Sequence, residues 1–98
     1  MRYAAIAVYI LASRRNGTLY IGVTSCLPKR VYEHKEALAE GFTKAYEVKT
    51  LVYYETCDTM EQAIHREKRL KKYTRKQKLA LIEKQNPQWN DLYEEICN

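Results

Sequence analysis

Glycine and proline are scarce in this chain, with three and two copies among 98 residues. That scarcity excludes a glycine-rich loop cradling phosphates, and no dinucleotide fingerprint is present. No stretch approaches the roughly 18 consecutive apolar residues of a membrane span, so no membrane partner is expected. Cysteine is confined to Cys26, Cys57 and Cys97. The number is odd and the spacing is not of metal type, so free thiols in a reducing cytoplasm are expected. Cys/His metal clusters and a serine triad are also missing. The opening MRYAAIAVYILASRR has the outline of a signal peptide. Its apolar run contains two tyrosines, however, and its alternation continues into a partner strand, so it reads as a strand.

Charge and tyrosine are what the chain has in quantity. There are nine tyrosines, the net charge is +5 and the pI is near 9.1. The hydrophobic content of 46% is enough for one core, and 98 residues give room for one domain, taken as 1–98. A basic chain of this kind suits a polyanionic partner, either nucleic acid or an acidic membrane surface.

Residues 4–12 are apolar throughout, as in a strand buried on both faces. Arg14-Arg15-Asn16-Gly17 forms a turn, and residues 18–24 make the second strand. A four-residue loop pairs Leu11 with Tyr20 and Tyr9 with Gly22, which puts both tyrosines on one face. Gly22 then leaves an open patch where a ligand or side chain can approach the sheet. Thr24 or Ser25 can cap a first helix that tolerates Pro28 in its first turn. Leu27, Val31 and Leu38 form its apolar stripe, His34 lies in that stripe, Arg30 lies on its edge, and Gly41 ends the helix. A third strand is expected near 47–56. Asp58 with Glu61 reads as a capping box for a second helix over 59–72, and Thr74 with Gln77 as another for a third over 75–85. Asn86-Pro87 stops that helix. Trp89, Leu92, Tyr93 and Ile96 suggest a short closing helix. The fold class is therefore α+β: a three-stranded antiparallel sheet covered by helices, in the order β-β-α-β-α-α with a short C-terminal helix.

The second helix carries an anomaly. Met60, Ala63 and Ile64 define its apolar face, and Glu67 falls inside that arc. A carboxylate aimed at a core needs a partner. A hard divalent cation accepting one or two protein carboxylates would serve, and so would a salt bridge to Arg30 or to an inward-bending lysine. Tyr9 and Tyr20 read either as core residues with tied hydroxyls or as a phenol, lowered from its usual pKa of about 10 by a nearby cation, that takes a proton from water. Arg30 suits a surface position or a phosphate oxygen, and His34 a structural hydrogen bond or a phosphate contact. Residues 65–78 hold 8 of the 17 lysines and arginines, among them Arg66, Lys68, Arg69, Lys71, Lys72, Arg75 and Lys76. They form either a solvated face or a track for a phosphate backbone.

Ala7-Val8-Tyr9, Tyr20-Ile21-Gly22, Arg30, His34 and Glu67 together resemble the GIY-YIG nuclease superfamily, over about residues 4–85. That group includes the incising N-terminal domain of the bacterial excinuclease C subunit and several homing endonucleases. The likeness is greatest to small stand-alone bacterial members. It implies that Tyr9 and Tyr20 act at the nucleophile, one as general base. It further implies that Arg30 stabilises the transferring phosphate, that His34 supports the phosphate or the base, and that Glu67 ligates a single Mg²⁺ or Mn²⁺. Gly22 and Asn86 are supporting candidates, Asn86 because family members often carry an asparagine on the C-terminal side of the site. The first tripeptide departs from the pattern in its Gly and Ile. The larger members carry an additional DNA-binding domain, which these residues do not include.

The resemblance implies a cytoplasmic, metal-dependent endonuclease that nicks DNA with little sequence preference, in DNA repair or processing. DNA is favoured over RNA as substrate, and a recruiting protein is a conceivable partner. The rival readings are a non-catalytic nucleic-acid-binding module and a protein-interaction domain built on Trp89 and Tyr93.

Overall fold

The computed structural model describes residues 5–37 and 41–97. Strands β1 (Ala7–Ala12), β2 (Leu19–Thr24) and β3 (Thr50–Thr56) form an antiparallel sheet in the order β2-β1-β3. Helices α1 (Leu27–Lys35), α2 (Phe42–Ala45), α3 (Met60–Lys71), α4 (Arg75–Gln85) and α5 (Tyr93–Cys97) complete the chain. The expected α+β order holds, with one added helical turn, α2, between the first helix and the third strand.

All six residues of β1 are buried, because the strand is central and the sheet is covered on both sides. Val8, Ile10 and Ala12 pack with Ala63, Leu70 and Ile82 of α3 and α4. Ala7, Tyr9 and Leu11 pack on the other face with Leu27 and Val31 of α1 and Ile96 of α5. The continuous apolar run of β1 follows from this three-layer arrangement.

The four-residue turn sets the β1–β2 register as the sequence indicated, with Leu11 opposite Tyr20 and Tyr9 opposite Gly22. Asn16 takes the left-handed conformation at φ 58°. The β1–β3 ladder is less regular. Ile10 pairs with Tyr53 but Leu11 pairs with Leu51, so Val52 is an extra residue. Val52 and Tyr53 therefore face the same core although adjacent in sequence. A bulge leaves a carbonyl without its ladder partner. Here the buried Asn86 amide donates to Val52 O at 3.1 Å and to Asn90 O at 2.9 Å, and its own oxygen accepts from Asn90 N at 3.0 Å.

Several helix boundaries differ from the sequence expectation. The residue preceding α1 is Cys26, which makes no side-chain cap. Thr24 instead bonds the Cys26 backbone N–H at 3.0 Å and shapes the chain ahead of the helix. The helix ends at Lys35, with Ala37 left-handed at φ 57°, so it stops before reaching Gly41. Leu38 lies outside the described residues. The cap of α3 is Thr59, whose hydroxyl accepts from Gln62 N at 3.1 Å; the Asp58–Glu61 box is displaced by one residue. Because extended geometry persists through Thr59, its hydroxyl is the one placed over the first turn. The Thr74–Gln77 box forms as expected and α4 spans Arg75–Gln85. No helix among the described residues is long and apolar enough to cross a membrane.

Two substitutions test this packing by thermal or denaturant unfolding. A Cβ on Gly22 would lie 2.5 Å from the Tyr9 Cζ and phenol oxygen, so Gly22→Ala forces the ring aside and lowers stability by about 1–3 kcal/mol. Asn86→Ala removes the donor to the bulge and also costs about 1–3 kcal/mol. Unfolding midpoints equal to that of the parent would contradict both.

Candidate active site

The β1–β2 register brings Tyr9 and Tyr20 side by side, with ring centroids 6.3 Å apart. On α1, His34 stands one turn beyond Arg30 and points back at the sheet. Its ring lies 5.9 Å from that of Tyr9 and 5.6 Å from that of Tyr20. The three rings form a closed triangle. Gly22 is the reason they fit, since Tyr9 crosses the sheet over the space a side chain would fill.

The Tyr9 hydroxyl is the hub. It lies 3.1 Å from His34 Nε2, and the Arg30 guanidinium is near enough to favour its charged form. A guanidinium can only donate, so toward Arg30 the phenol oxygen is the acceptor, and its proton goes to His34 Nε2 in the tautomer that carries the ring hydrogen on Nδ1. Arg30 also donates to Glu33 at 3.1 Å, a pair on the solvent side of α1.

Burial governs the electrostatics. It pushes the Tyr9 phenol up to about 12, only partly opposed by Arg30. His34 is 3% exposed. Burial, reinforced by the Arg30 charge, lowers its pKa to about 4 and leaves the imidazole neutral near pH 7. A neutral ring can accept the Tyr9 proton in a hydrogen bond, whereas an imidazolium could not. The expectation of a phenol lowered by a nearby cation therefore does not describe Tyr9, in which burial outweighs the guanidinium. Tyr20 stands half-buried at the rim and lines an open cleft of about 330 Å³ with Leu19, Ile21, Lys71 and Lys78.

Glu67 lies on α3 in line with the buried Ala63 and Leu70, and its side chain is 17% exposed. Ile64, expected on the apolar face, is instead 39% exposed, so the buried stripe of α3 is rotated toward 63, 67 and 70. The Glu67 carboxylate is near enough to Tyr9 for its charge to act on the phenol. Its partner is Lys71, one turn along, at 3.2 Å. That pairing is neither the Arg30 bridge nor an inward-bent lysine: the Lys71 side chain is 56% exposed. Among the described residues no group of three or more His, Cys, Asp or Glu side chains stands together as a metal cage. A lone, mostly shielded carboxylate suits a hard cation that keeps most of its water, the coordination habit of Mg²⁺.

The basic run divides. Lys68, Arg69, Lys72 and Lys76 are exposed. Arg66 forms a two-pronged pair with Glu55, at 2.9 and 2.8 Å, and Glu55 also accepts from the Tyr53 hydroxyl. Arg75 donates to the carbonyls of Asn16 and Gly17, both at 2.7 Å, and so ties the start of α4 to the hairpin tip. Asn86 is not gathered into the cluster; its amide is spent on β3 and the following loop. Trp89 is buried at 6% exposure, its indole N–H donating to Glu83 at 2.9 Å, so it offers no docking surface. Glu33 and Arg75 as a clamp are the features the sequence reading missed, while Lys78 belonged to the basic run without being singled out. Only Glu33, three residues after Arg30 on one helix, had a local signal.

A model of the GIY-YIG catalytic domain matches residues 5–80. A UPF0213 protein of Staphylococcus epidermidis is 38% identical over 76 residues, spanning 78% of this chain and 92% of that one. A UPF0213 protein of Staphylococcus saprophyticus is 35% identical over 75 residues, spanning 76% and 90%. The solution structure of a UPF0213 protein from Bacillus halodurans superposes with a TM-score of 0.55 at 22% identity, covering 91% of this chain and 94% of the other, and shows the same fold. Tyr9, Tyr20, Arg30, His34 and Glu67 all fall within the matched segment, and the chain belongs to the GIY-YIG family.

Proposed function

We propose that this chain is a cytoplasmic, divalent-metal-dependent endonuclease that nicks DNA with little sequence preference, in repair or processing. The observation that carries the reading is the phenol–imidazole–guanidinium hub at Tyr9, flanked by Tyr20 on one side and by the shielded Glu67 carboxylate on the other. A structural core would not need a guanidinium, a neutral imidazole and a carboxylate around two phenols.

Tyr20, at the rim and open to the cleft, first releases its own phenol proton to bulk water and then, as phenolate, takes the proton of the attacking water. Tyr9 holds its own proton too tightly for that task, and serves instead to fix Arg30 and His34 relative to each other. Arg30 turns its remaining N–H donors to the phosphate oxygens and offsets the charge that grows on them. His34, kept neutral, orients Tyr9 without adding a second positive charge. Glu67 would hold a single Mg²⁺ or Mn²⁺, which supplies Lewis-acid stabilisation of phosphate charge when bound. Lys68, Arg69, Lys72 and Lys76 contribute sequence-independent contacts to the DNA backbone. Arg66, Lys71 and Arg75 add positive potential while holding Glu55, Glu67 and the hairpin.

Plasmid nicking measured with and without Mg²⁺ or Mn²⁺ tests the proposal. Metal-dependent nicking is expected, with Glu67→Ala and Tyr20→Phe each lowering the rate by about 10²-fold or more. Salt-sensitive DNA binding without nicking would make the chain a passive binding module. The His34 role carries its own signature. Between about pH 4 and about 6.5 the unfolded chain binds the imidazole proton and the folded chain does not. Stability should therefore rise with pH across that window, by about 1–3 kcal/mol, and level off above it. Thermal melts of His34→Gln should lack that share of the rise, and a profile identical to the parent's would contradict a buried neutral imidazole.

A further inference from the structure

Among the described residues the outer edge of β2 has no strand partner, since there β2 pairs with β1 alone. Three consecutive residues of this strand, Leu19, Tyr20 and Ile21, line a single cleft together with Lys71 and Lys78. Successive strand side chains point to opposite faces, so a cleft touching all three looks onto the strand's edge rather than onto either face. Lys71 and Lys78 give the cleft a basic lining, and among the described residues no acidic one lines it. At the other end of β2, Thr24, Ser25, Cys26, Lys29, Arg30 and Glu33 line a second, smaller cleft. Tyr20 and Thr24 are four residues apart, or about 13 Å of strand, which is too far for one phosphate to occupy both clefts.

We propose that the cleft lined by Lys71 and Lys78 is a subsite for a phosphate flanking the scissile one, so that a DNA strand runs along the outer edge of β2 with its reacting phosphate between the two clefts. The inference rests on the endonuclease reading and names where its substrate lies. Lys78, on the first turns of α4, is half-buried and is left facing the cleft. Lys71 has three N–H donors, so it can keep its 3.2 Å contact to Glu67 and still offer donors to a phosphate. The same lysine thus links the flanking subsite to the carboxylate of the reaction centre. Tyr20 lies between them at the cleft wall, where a strand held by Lys78 passes its hydroxyl.

Equilibrium binding of the full chain to a short single-stranded oligodeoxynucleotide, followed by fluorescence anisotropy across a salt series, tests this. Each lost phosphate contact lowers the slope of log affinity against log salt by about 0.7 for a single strand. Lys78→Ala and Lys78→Gln should each show that decrease, Lys78→Arg should retain the parental slope, and the exposed Lys84→Ala should not change it. Unchanged slopes for Lys78→Ala and Lys78→Gln, in a preparation whose parent nicks plasmid DNA, overturn the subsite and leave the endonuclease reading standing. Lysines beside a sheet edge also deter edge-to-edge association. Aggregation of the variants at unchanged slope would assign Lys78 to that role and likewise overturn the subsite. A parent that neither binds nor nicks overturns both readings.

Discussion

The register between the first two strands decides whether the two phenols can meet. Pairing Tyr9 with Gly22 does two things at once: it puts the two phenols on one face and clears the floor beneath the Tyr9 ring. A slip of one residue would send one phenol to the opposite face and set a side chain where the ring now lies. The turn at 14–17 fixes this register, and Arg75 holds the tip of that turn by two backbone carbonyls. Helix α4, remote from the phenols in sequence, is thereby tied to the hairpin that aligns them.

Within that frame the chemistry follows from differences in burial. Tyr9 and Tyr20 are the same side chain in two environments, one sealed against α1 and the other half open to a cleft. The sealed phenol bonds the imidazole of His34, and the open one lines a cleft. His34 is likewise defined by its surroundings, since desolvation and the neighbouring guanidinium keep it uncharged. Glu67 completes the set from a different helix, shielded enough to act on Tyr9 and paired with the exposed Lys71.

Much of this was legible because it is local. The apolar run of β1, the Asn16-Gly17 turn and the Thr74–Gln77 box each depend on a few adjacent residues, and each appears where the pattern put it. Glu67 inside an apolar arc was visible from helical spacing, although the arc itself is turned, so that Ile64 is exposed and Leu70 buried. What was not legible is non-local. Nothing near Asn86 tells that β3 carries a bulge whose carbonyl needs its amide. Nothing near Trp89 tells that its indole turns inward to Glu83. Charge counting could not separate Arg66 and Arg75, which hold the fold together, from the neighbouring cations that face solvent. The shift of the α3 cap from Asp58 to Thr59 is of another kind, because two adjacent residues can each cap a helix and the backbone's path into the turn chooses between them.

The proposed site has two phenols, a guanidinium, an imidazole and one carboxylate converging on a place where a cation can bind. Paramagnetic relaxation by Mn²⁺, followed in NMR spectra of the tyrosine and histidine rings, tests it directly. Selective broadening of Tyr9, Tyr20 and His34 is expected at low metal concentration, abolished by Glu67→Gln and reversed by excess Mg²⁺. Broadening centred elsewhere, or unaltered by loss of the Glu67 charge, would contradict it.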